Sequence, residues 1–165
     1  MEGLRLGENK GFVVAIAIAL IVIATMVAVY YVWFRGEPEG YSAISILDAN
    51  EKAENYPELV IIGQNNTFNV WVKVENHMGK TLPFEVKVRI TQQVTPDFPA
   101  PEEAQNIYAV TLDDGKNWNT TATATIDTVG DYMVVYELWT QSENTEILEF
   151  TGNACVLPVE AIDQT

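Results

Sequence analysis

Cysteine, histidine and basic residues are all scarce in this sequence of 165 residues, and each scarcity excludes some classes of function. The single cysteine, Cys155, cannot form a disulfide within the chain, so packing must hold the fold together. The single histidine, His77, rules out a blue-copper site and leaves zinc without ligands unless carboxylates supply them. With 9 Lys and Arg against 23 Asp and Glu, the chain repels nucleic acid, so no nucleic-acid partner is expected.

A charge-free run from Gly11 to Phe34 is the strongest single signal in the sequence. A helix rises about 1.5 Å per residue, so this run reaches about 36 Å and can cross a hydrocarbon core of about 30 Å. Tyr30, Tyr31 and Trp33 lie near its C-terminal end, where aromatic rings favour the membrane–water interface. The run therefore predicts one transmembrane helix over residues 11–34.

Two further interpretations of this run stay open. A cleaved secretory signal would have a shorter apolar core, of about 7–15 residues, and small residues at the cleavage site. The segment Lys10-Gly11-Phe12-Val13 is similar to the processing site of archaeal type IV pilins and archaellins, which would make the chain a filament subunit. For an uncleaved anchor, Arg5 and Lys10 favour a cytoplasmic tail over residues 1–10 and an outer C-terminal part.

The remaining residues, 41–165, have the usual length of one domain and follow a short linker over residues 35–40 with Gly36, Pro38 and Gly40. This part holds 19 acidic and 6 basic residues, which keeps it soluble and repels it from anionic lipid. We expect an extracellular domain that stands off the membrane.

Alternating apolar and polar residues predict strands throughout this domain. Thr67–Glu75 alternates cleanly, and so does Thr81–Thr95. Turn residues separate the segments, and no sustained helical period occurs outside the anchor. The pattern predicts an all-β, antiparallel, immunoglobulin-like β-sandwich of seven or eight strands. The other predicted strands are Tyr41–Asp48, Leu59–Ile62, Ile107–Leu112, Thr120–Ile126, Tyr132–Thr140 and Glu146–Pro158.

One long segment breaks the strand pattern. Thr95–Gln105 contains three prolines, Pro96, Pro99 and Pro101, and proline cannot donate to a central ladder. We expect an exposed loop.

The first half of the domain, Tyr41–Ile90, resembles the extracellular domain of domain-of-unknown-function family 1616, a set of mostly archaeal membrane proteins. The resemblance lies in Ile46-Leu47-Asp48, Asn55-Tyr56-Pro57, the turn at Gly63 and Asn76-His77. Val129-Gly130-Asp131-Tyr132 continues it more loosely. It implies an archaeal cell-surface β-sandwich and names no activity, cofactor or partner. Family members often carry several membrane helices, whereas this chain has one.

Polar residues offer few sites for chemistry. His77 follows a strand in a predicted hairpin turn without a second histidine, so a turn-shaping role is favoured over a ligand or base. Asp113-Asp114-Gly115 lacks the spacing of an EF-hand loop and is typical of a tight turn. We expect no catalytic, cofactor or metal site.

Three tryptophans of the domain, Trp71, Trp118 and Trp139, are candidates for an aromatic interface. Trp71 falls on the polar side of its strand, so it is either an exposed anchor or covered by a neighbour. Asn65 and Asn119 begin N-x-T sequons, which are candidate glycosylation sites on an external face.

These features favour a non-enzymatic, single-pass cell-surface protein with an assembly or recognition role, as an accessory subunit or envelope component. Its expected partners are the membrane and other envelope proteins, or copies of itself in an oligomer or filament. The sequence also leaves open a filament subunit and a carbohydrate-binding or carbohydrate-active domain.

Overall fold

The structure, a computed structural model, describes residues 10–33, 40–48, 51–142 and 147–163. Residues 1–9 of the predicted tail, residue 34 of the predicted helix and residues 35–39 of the predicted linker lie outside the described residues. The chain divides into two compact units, Met1–Glu39 and Gly40–Thr165.

The first unit contains one helix, α1, which spans Lys10–Trp33. Apolar side chains surround it on every side, and all of its described side chains are exposed. The hydroxyl of Thr25, in the middle of the helix, is satisfied within the helix because it donates a hydrogen bond to the carbonyl of Ile21 at 2.6 Å. By length and composition, Gly11–Trp33 can cross a membrane.

The described residues of the second unit form eight strands. They are β1 (Tyr41–Leu47), β2 (Leu59–Ile61), β3 (Thr67–His77), β4 (Leu82–Thr91), β5 (Asn106–Leu112), β6 (Asn117–Thr125), β7 (Gly130–Gln141) and β8 (Leu148–Ile162). One sheet has the order β1-β3-β6, and the other has the order β2-β8-β7-β4-β5.

The core lies between the two sheets. It consists of the side chains that each strand points inward, which are every second residue along the strand. Val70, Val72 and Val74 of β3 face Val86 and Val88 of β4, and all five are at most 1% exposed. Small side chains on β6, at Ala122 and Ala124, let the sheets approach closely. The predicted all-β sandwich and the N-terminal helix are confirmed.

The observed strands differ from the predicted ones in pairing and in bounds, and β3 and β8 run further than predicted, to His77 and Ile162. β2 pairs with β8 in parallel, whereas every other pairing of described strands is antiparallel. β4 ends at Thr91 instead of Thr95, because the chain then leaves the sheet. β6 begins at Asn117 instead of Thr120, because Trp118 pairs with Val74 and extends the ladder.

Side chains close both edges of the three-stranded sheet. On the β1 edge, the carbonyls of Ser42, Ile44 and Ile46 accept hydrogen bonds from Asn153, Cys155 and Tyr56, respectively. On the β6 edge, the amides and carbonyls of Thr123 and Thr125 bond to side chains of Gln105, Asn106 and Tyr108. Unpaired strand edges invite pairing with other chains, so these contacts leave little of either edge open.

Candidate interaction surfaces

The outer face of the three-stranded sheet presents no buried side chain among its described residues. Alternation places the odd-numbered residues of β1, β3 and β6 on this face, away from the valine core. Trp71 lies at its centre, between Leu47 of β1 and Thr121 of β6. Its side chain is half-buried, although it points away from the core. We call these outward residues of β1, β3 and β6 the Trp71 face.

Charged and aromatic groups flank Trp71 along β3. Lys73 forms an ion pair with Glu75 at 2.5 Å, and the hydrogen bond from Lys73 holds the pKa of Glu75 below its ordinary value. The Nε2 atom of His77 lies 3.6 Å from Glu75, and its ring stacks on Tyr41 with centroids 4.7 Å apart. His77 is thus the last residue of β3 and not a turn residue as predicted, and its ring contacts Glu75 and Tyr41 at the end of the strand.

The neighbouring Asn76 has a clear structural role. It is fully buried, its Nδ2 donates to the carbonyls of Lys80 and Leu112, and its Oδ1 accepts from the amide of Met78. Asn76 therefore joins the β3–β4 turn to the end of β5.

The acidic turn after β5 is held in the same way. Asp113 accepts a hydrogen bond from the hydroxyl of Thr81 at 2.7 Å, and Asp114 accepts one from the amide of Gly79 at 2.8 Å. Gly115 has φ of 71°, the conformation that a tight turn requires and glycine adopts freely. Both carboxylates thus serve the turn, and no group of three potential metal ligands occurs among the described residues.

The other sheet is different, because the proline-rich segment folds over its outer face. Glu137 points to that face, yet it is fully buried. Its Oε2 accepts from Nε of Arg89 at 2.9 Å, and its Oε1 accepts from the amide of Ala100 at 2.5 Å. Arg89 also donates to the carbonyl of Glu102. The segment 95–105 is therefore not simply exposed, since this buried ion pair holds it against the sheet.

Trp139 belongs to the same covered region. Its indole N–H donates to Glu137 at 3.0 Å, and Nζ of Lys87 lies 3.9 Å from its ring centroid. Phe150 packs against it with centroids 5.9 Å apart. Trp139 is half-buried and contacts its neighbours on several sides, so its ring is largely engaged within the domain.

Trp118 faces the core side of β6. It pairs with Val74 and packs against the central hydrophobic cluster. Of the three tryptophans proposed from the sequence, Trp71 alone lies on the open face.

The two sequons occupy different settings. Asn65 is exposed in the turn after β2, where its Oδ1 accepts from the amide of Ile61 at 2.6 Å. Asn119 is exposed on the Trp71 face, directly opposite Lys73. A glycan on Asn119 would therefore share that face with Trp71, whereas one on Asn65 would not.

Cys155 lies between the sheets at the β1 edge. Its Sγ is 3.5 Å from the carbonyl of Ile44, and burial raises the pKa of the thiol. A raised pKa lowers the thiolate fraction and with it the reactivity, so this cysteine behaves as a packed side chain.

These features define an immunoglobulin-like β-sandwich that follows an apolar helix. The chain belongs to the family described as a domain of unknown function (DUF1616), which it matches over residues 36–149. The resemblance noted in the sequence is thereby confirmed. A search of the curated proteins finds no match.

Solved structures support the fold. The crystal structure of the CARDB domain of PF1109 from Pyrococcus furiosus, in complex with di-metal ions, is similar with a TM-score of 0.50 and 17% identity. The match covers 76% of this chain and 96% of that domain. A solution NMR structure of the same domain gives a TM-score of 0.49 at 19% identity, with 76% of this chain and 98% of that chain covered. At 17% identity the likeness to the crystal structure shows the fold alone.

A β-glucosidase from Listeria innocua is also similar, with a TM-score of 0.44 and 14% identity. The match covers 78% of this chain and 17% of the enzyme. The enzyme's activity is therefore not carried over.

Proposed function

We propose that this protein is a single-pass, membrane-anchored cell-surface protein whose β-sandwich makes assembly or recognition contacts with other envelope proteins. Its N-terminus is cytoplasmic and its sandwich is extracellular. The protein serves as an accessory subunit of an assembly or as a component of the envelope. The observation that carries this proposal is the Trp71 face, which no segment of the described chain crosses, whereas segment 95–105 covers part of the opposite side of the sandwich.

The anchor supports the membrane part of the proposal. Helix α1 has no charged residue between Gly11 and Trp33, and such a helix satisfies its own backbone hydrogen bonds in hydrocarbon. The acidic β-sandwich repels anionic lipid head groups, so it stays in the solvent, where a protein partner can reach it.

Trp71 supports the contact part. Tryptophan is enriched among interface residues that carry most of the binding energy, especially where polar residues surround it. Lys73, Thr121 and Asn69 surround Trp71 with groups that can form hydrogen bonds at the rim. Leu47 adds aliphatic surface beside the ring.

The proposal assigns no catalysis. The side chains that chemistry would need are engaged within the fold, since His77 contacts Glu75 and Tyr41 while Asp113 and Asp114 hold turns. A nucleophile with an adjacent base is not among the described contacts.

Site-specific photo-crosslinking in native membranes tests this proposal. A photoreactive amino acid at Thr121, exposed beside Trp71, should give a discrete adduct with another envelope protein or a second copy. Trp71→Ala should abolish the adduct while leaving the amount of folded protein unchanged. The matched control is a probe at Ile107, which is 56% exposed on the outer face of the other sheet and should give no such adduct.

Two results contradict the proposal. Equal adducts from Thr121 and Ile107 would show that crosslinking follows exposure alone. An adduct at Thr121 that persists in Trp71→Ala would show that the ring is not the anchor. A ladder of regularly increasing mass would instead favour a filament subunit.

A further inference from the structure

A cleft of about 460 Å³ opens on the outer face of the five-stranded sheet, beyond the area that segment 95–105 covers. Its apolar part comes from Met133, Pro158 and Val94, and Val94 is 81% exposed. Glu58, Asp131 and Glu160 line the same cleft. The cleft thus combines exposed aliphatic surface with three carboxylates.

The two strands place like charges together here. Asp131 of β7 and Glu160 of β8 are directly opposite in the register, and both point outward. Like charges at directly opposed positions destabilise a sheet. Neither carboxylate forms an ion pair with any described residue, so the fold itself supplies no compensating cation.

A neighbouring depression of about 540 Å³ shares Tyr132 with the cleft and is lined by Glu102. The Oε2 atom of Glu102 is buried and accepts no hydrogen bond from a described residue. Buried polar atoms in native proteins almost always have a partner. Glu102 lines the neighbouring depression and not the cleft, so its carboxylate is not part of the site proposed below.

We propose that the cleft binds a short segment of a partner protein in which lysine or arginine alternates with aliphatic side chains. The aliphatic side chains pack on Met133, Pro158 and Val94, and the basic groups pair with Asp131, Glu160 and Glu58. This inference names a partner class for the recognition role proposed above and rests on that role, but it uses the opposite sheet.

Charge complementarity selects this occupant over a second copy or a membrane. A second copy would bring another acidic surface, because residues 41–165 hold 19 acidic and 6 basic residues. Among its basic residues, Lys73, Lys87 and Arg89 are already paired with glutamates. An anionic membrane surface is repelled by the same carboxylates. A basic partner is attracted by the carboxylates. The aliphatic side chains of the cleft add apolar contacts that a simple counterion could not make.

Peptide binding to the full chain in nonionic detergent tests the inference. The probe is a fluorescent peptide in which lysines alternate with valines, measured by anisotropy. One control peptide has glutamate in place of lysine, and a second has serine in place of valine. We expect the lysine–valine peptide to bind, and both control peptides to bind at least about tenfold more weakly.

The matching protein variants are chosen to keep the fold. Asp131→Asn with Glu160→Gln removes the opposed charges, so it should weaken peptide binding about tenfold without lowering the unfolding midpoint. Asp97→Asn with Glu103→Gln makes the same change in net charge at exposed residues outside the cleft, and should leave binding unchanged. Val94→Ser should weaken binding severalfold.

Three results overturn the inference: no binding of the lysine–valine peptide, equal weakening by the two double variants, or equal binding of the serine peptide. Self-association that depends on Asp131, seen by sedimentation, would replace the basic partner with a second copy. Each of these outcomes leaves the crosslinking test at Thr121 unaffected, so the two proposals fail separately.

Discussion

Gln105 pairs with Thr125 as though it were a residue of a neighbouring strand. Its Nε2 donates to the carbonyl of Thr125 at 2.8 Å, and its Oε1 accepts from the amide of Thr125 at 2.8 Å. One side chain thus satisfies both outward backbone groups of an edge residue, where another strand would otherwise bind.

Gln105→Ala should therefore lower the free energy of unfolding by about 1 kcal/mol and increase self-association. The size follows from two lost hydrogen bonds at an exposed edge, where water replaces part of their energy. Urea denaturation and sedimentation of the full chain measure the two effects. Gln64→Ala, at an exposed turn, is the control, and equal behaviour of the two variants would contradict the role given to Gln105.

The buried pair of Arg89 and Glu137 gives a second prediction. Glu137→Ala leaves the guanidinium, the amide of Ala100 and the indole N–H of Trp139 without their acceptor, so it should cost about 3–5 kcal/mol of stability. The control is Glu85→Ala, which breaks the more exposed pair with Lys87 at 3.7 Å and should cost less than about 1 kcal/mol.

Urea unfolding followed by tryptophan fluorescence distinguishes these variants, since Trp139 reports directly on the region beside Glu137. Proteolysis within residues 95–105 should also become faster in Glu137→Ala and stay slow in Glu85→Ala. Unchanged proteolysis would show that other contacts hold the segment to the sheet.

Tyr136 gives a third prediction, in which a substitution is expected to preserve or raise stability instead of lowering it. Its ring is fully buried, and its hydroxyl has no hydrogen-bond partner among the described residues. Burial also raises the pKa of this phenol well above its ordinary value. Tyr136→Phe removes an unsatisfied polar group and keeps the ring, so stability should stay level or rise by up to about 1 kcal/mol.

The same denaturation assay measures this variant. Tyr56→Phe is the matched control, because its hydroxyl donates to the carbonyl of Ile46 at 2.7 Å and its loss should lower stability. A large loss in Tyr136→Phe would reveal a hydrogen bond to its hydroxyl.

Most of the fold could be predicted from local patterns, because each strand buries one side and exposes the other. The alternation of Val70, Val72 and Val74 marks β3 without any knowledge of its neighbours. The parallel pairing of β2 with β8 could not be predicted in this way, since partners distant in sequence leave no local signal.

The candidate site was harder to predict for the same reason. Alternation places Trp71 on an outer side, but β6 begins at Asn117, earlier than predicted, and its next residue, Trp118, faces the core. The cover over the other sheet depends on Arg89 meeting Glu137, which are far apart in sequence. A glutamate in the middle of the apolar stretch Met133–Trp139 was the one local sign of a buried polar contact.

The last prediction concerns topology, and it follows from an apolar helix near a weakly basic N-terminus. With the N-terminus in the cytoplasm, protease added to intact cells should remove a tag fused after Thr165 and leave a tag before Met1 protected. Permeabilised cells, in which both tags should be lost, are the control. Loss of the N-terminal tag alone would reverse the orientation.

Mass spectrometry of the mature chain completes this test, because it distinguishes an uncleaved anchor from a pilin-like subunit and from a cleaved signal. A start at Phe12 would indicate pilin-like processing, whereas a start beyond Trp33 would show that the helix is removed as a signal. An anchor must stay joined to the domain that it holds at the membrane. An intact N-terminus together with protease removal of the outer unit is therefore the result that a single-pass anchor requires.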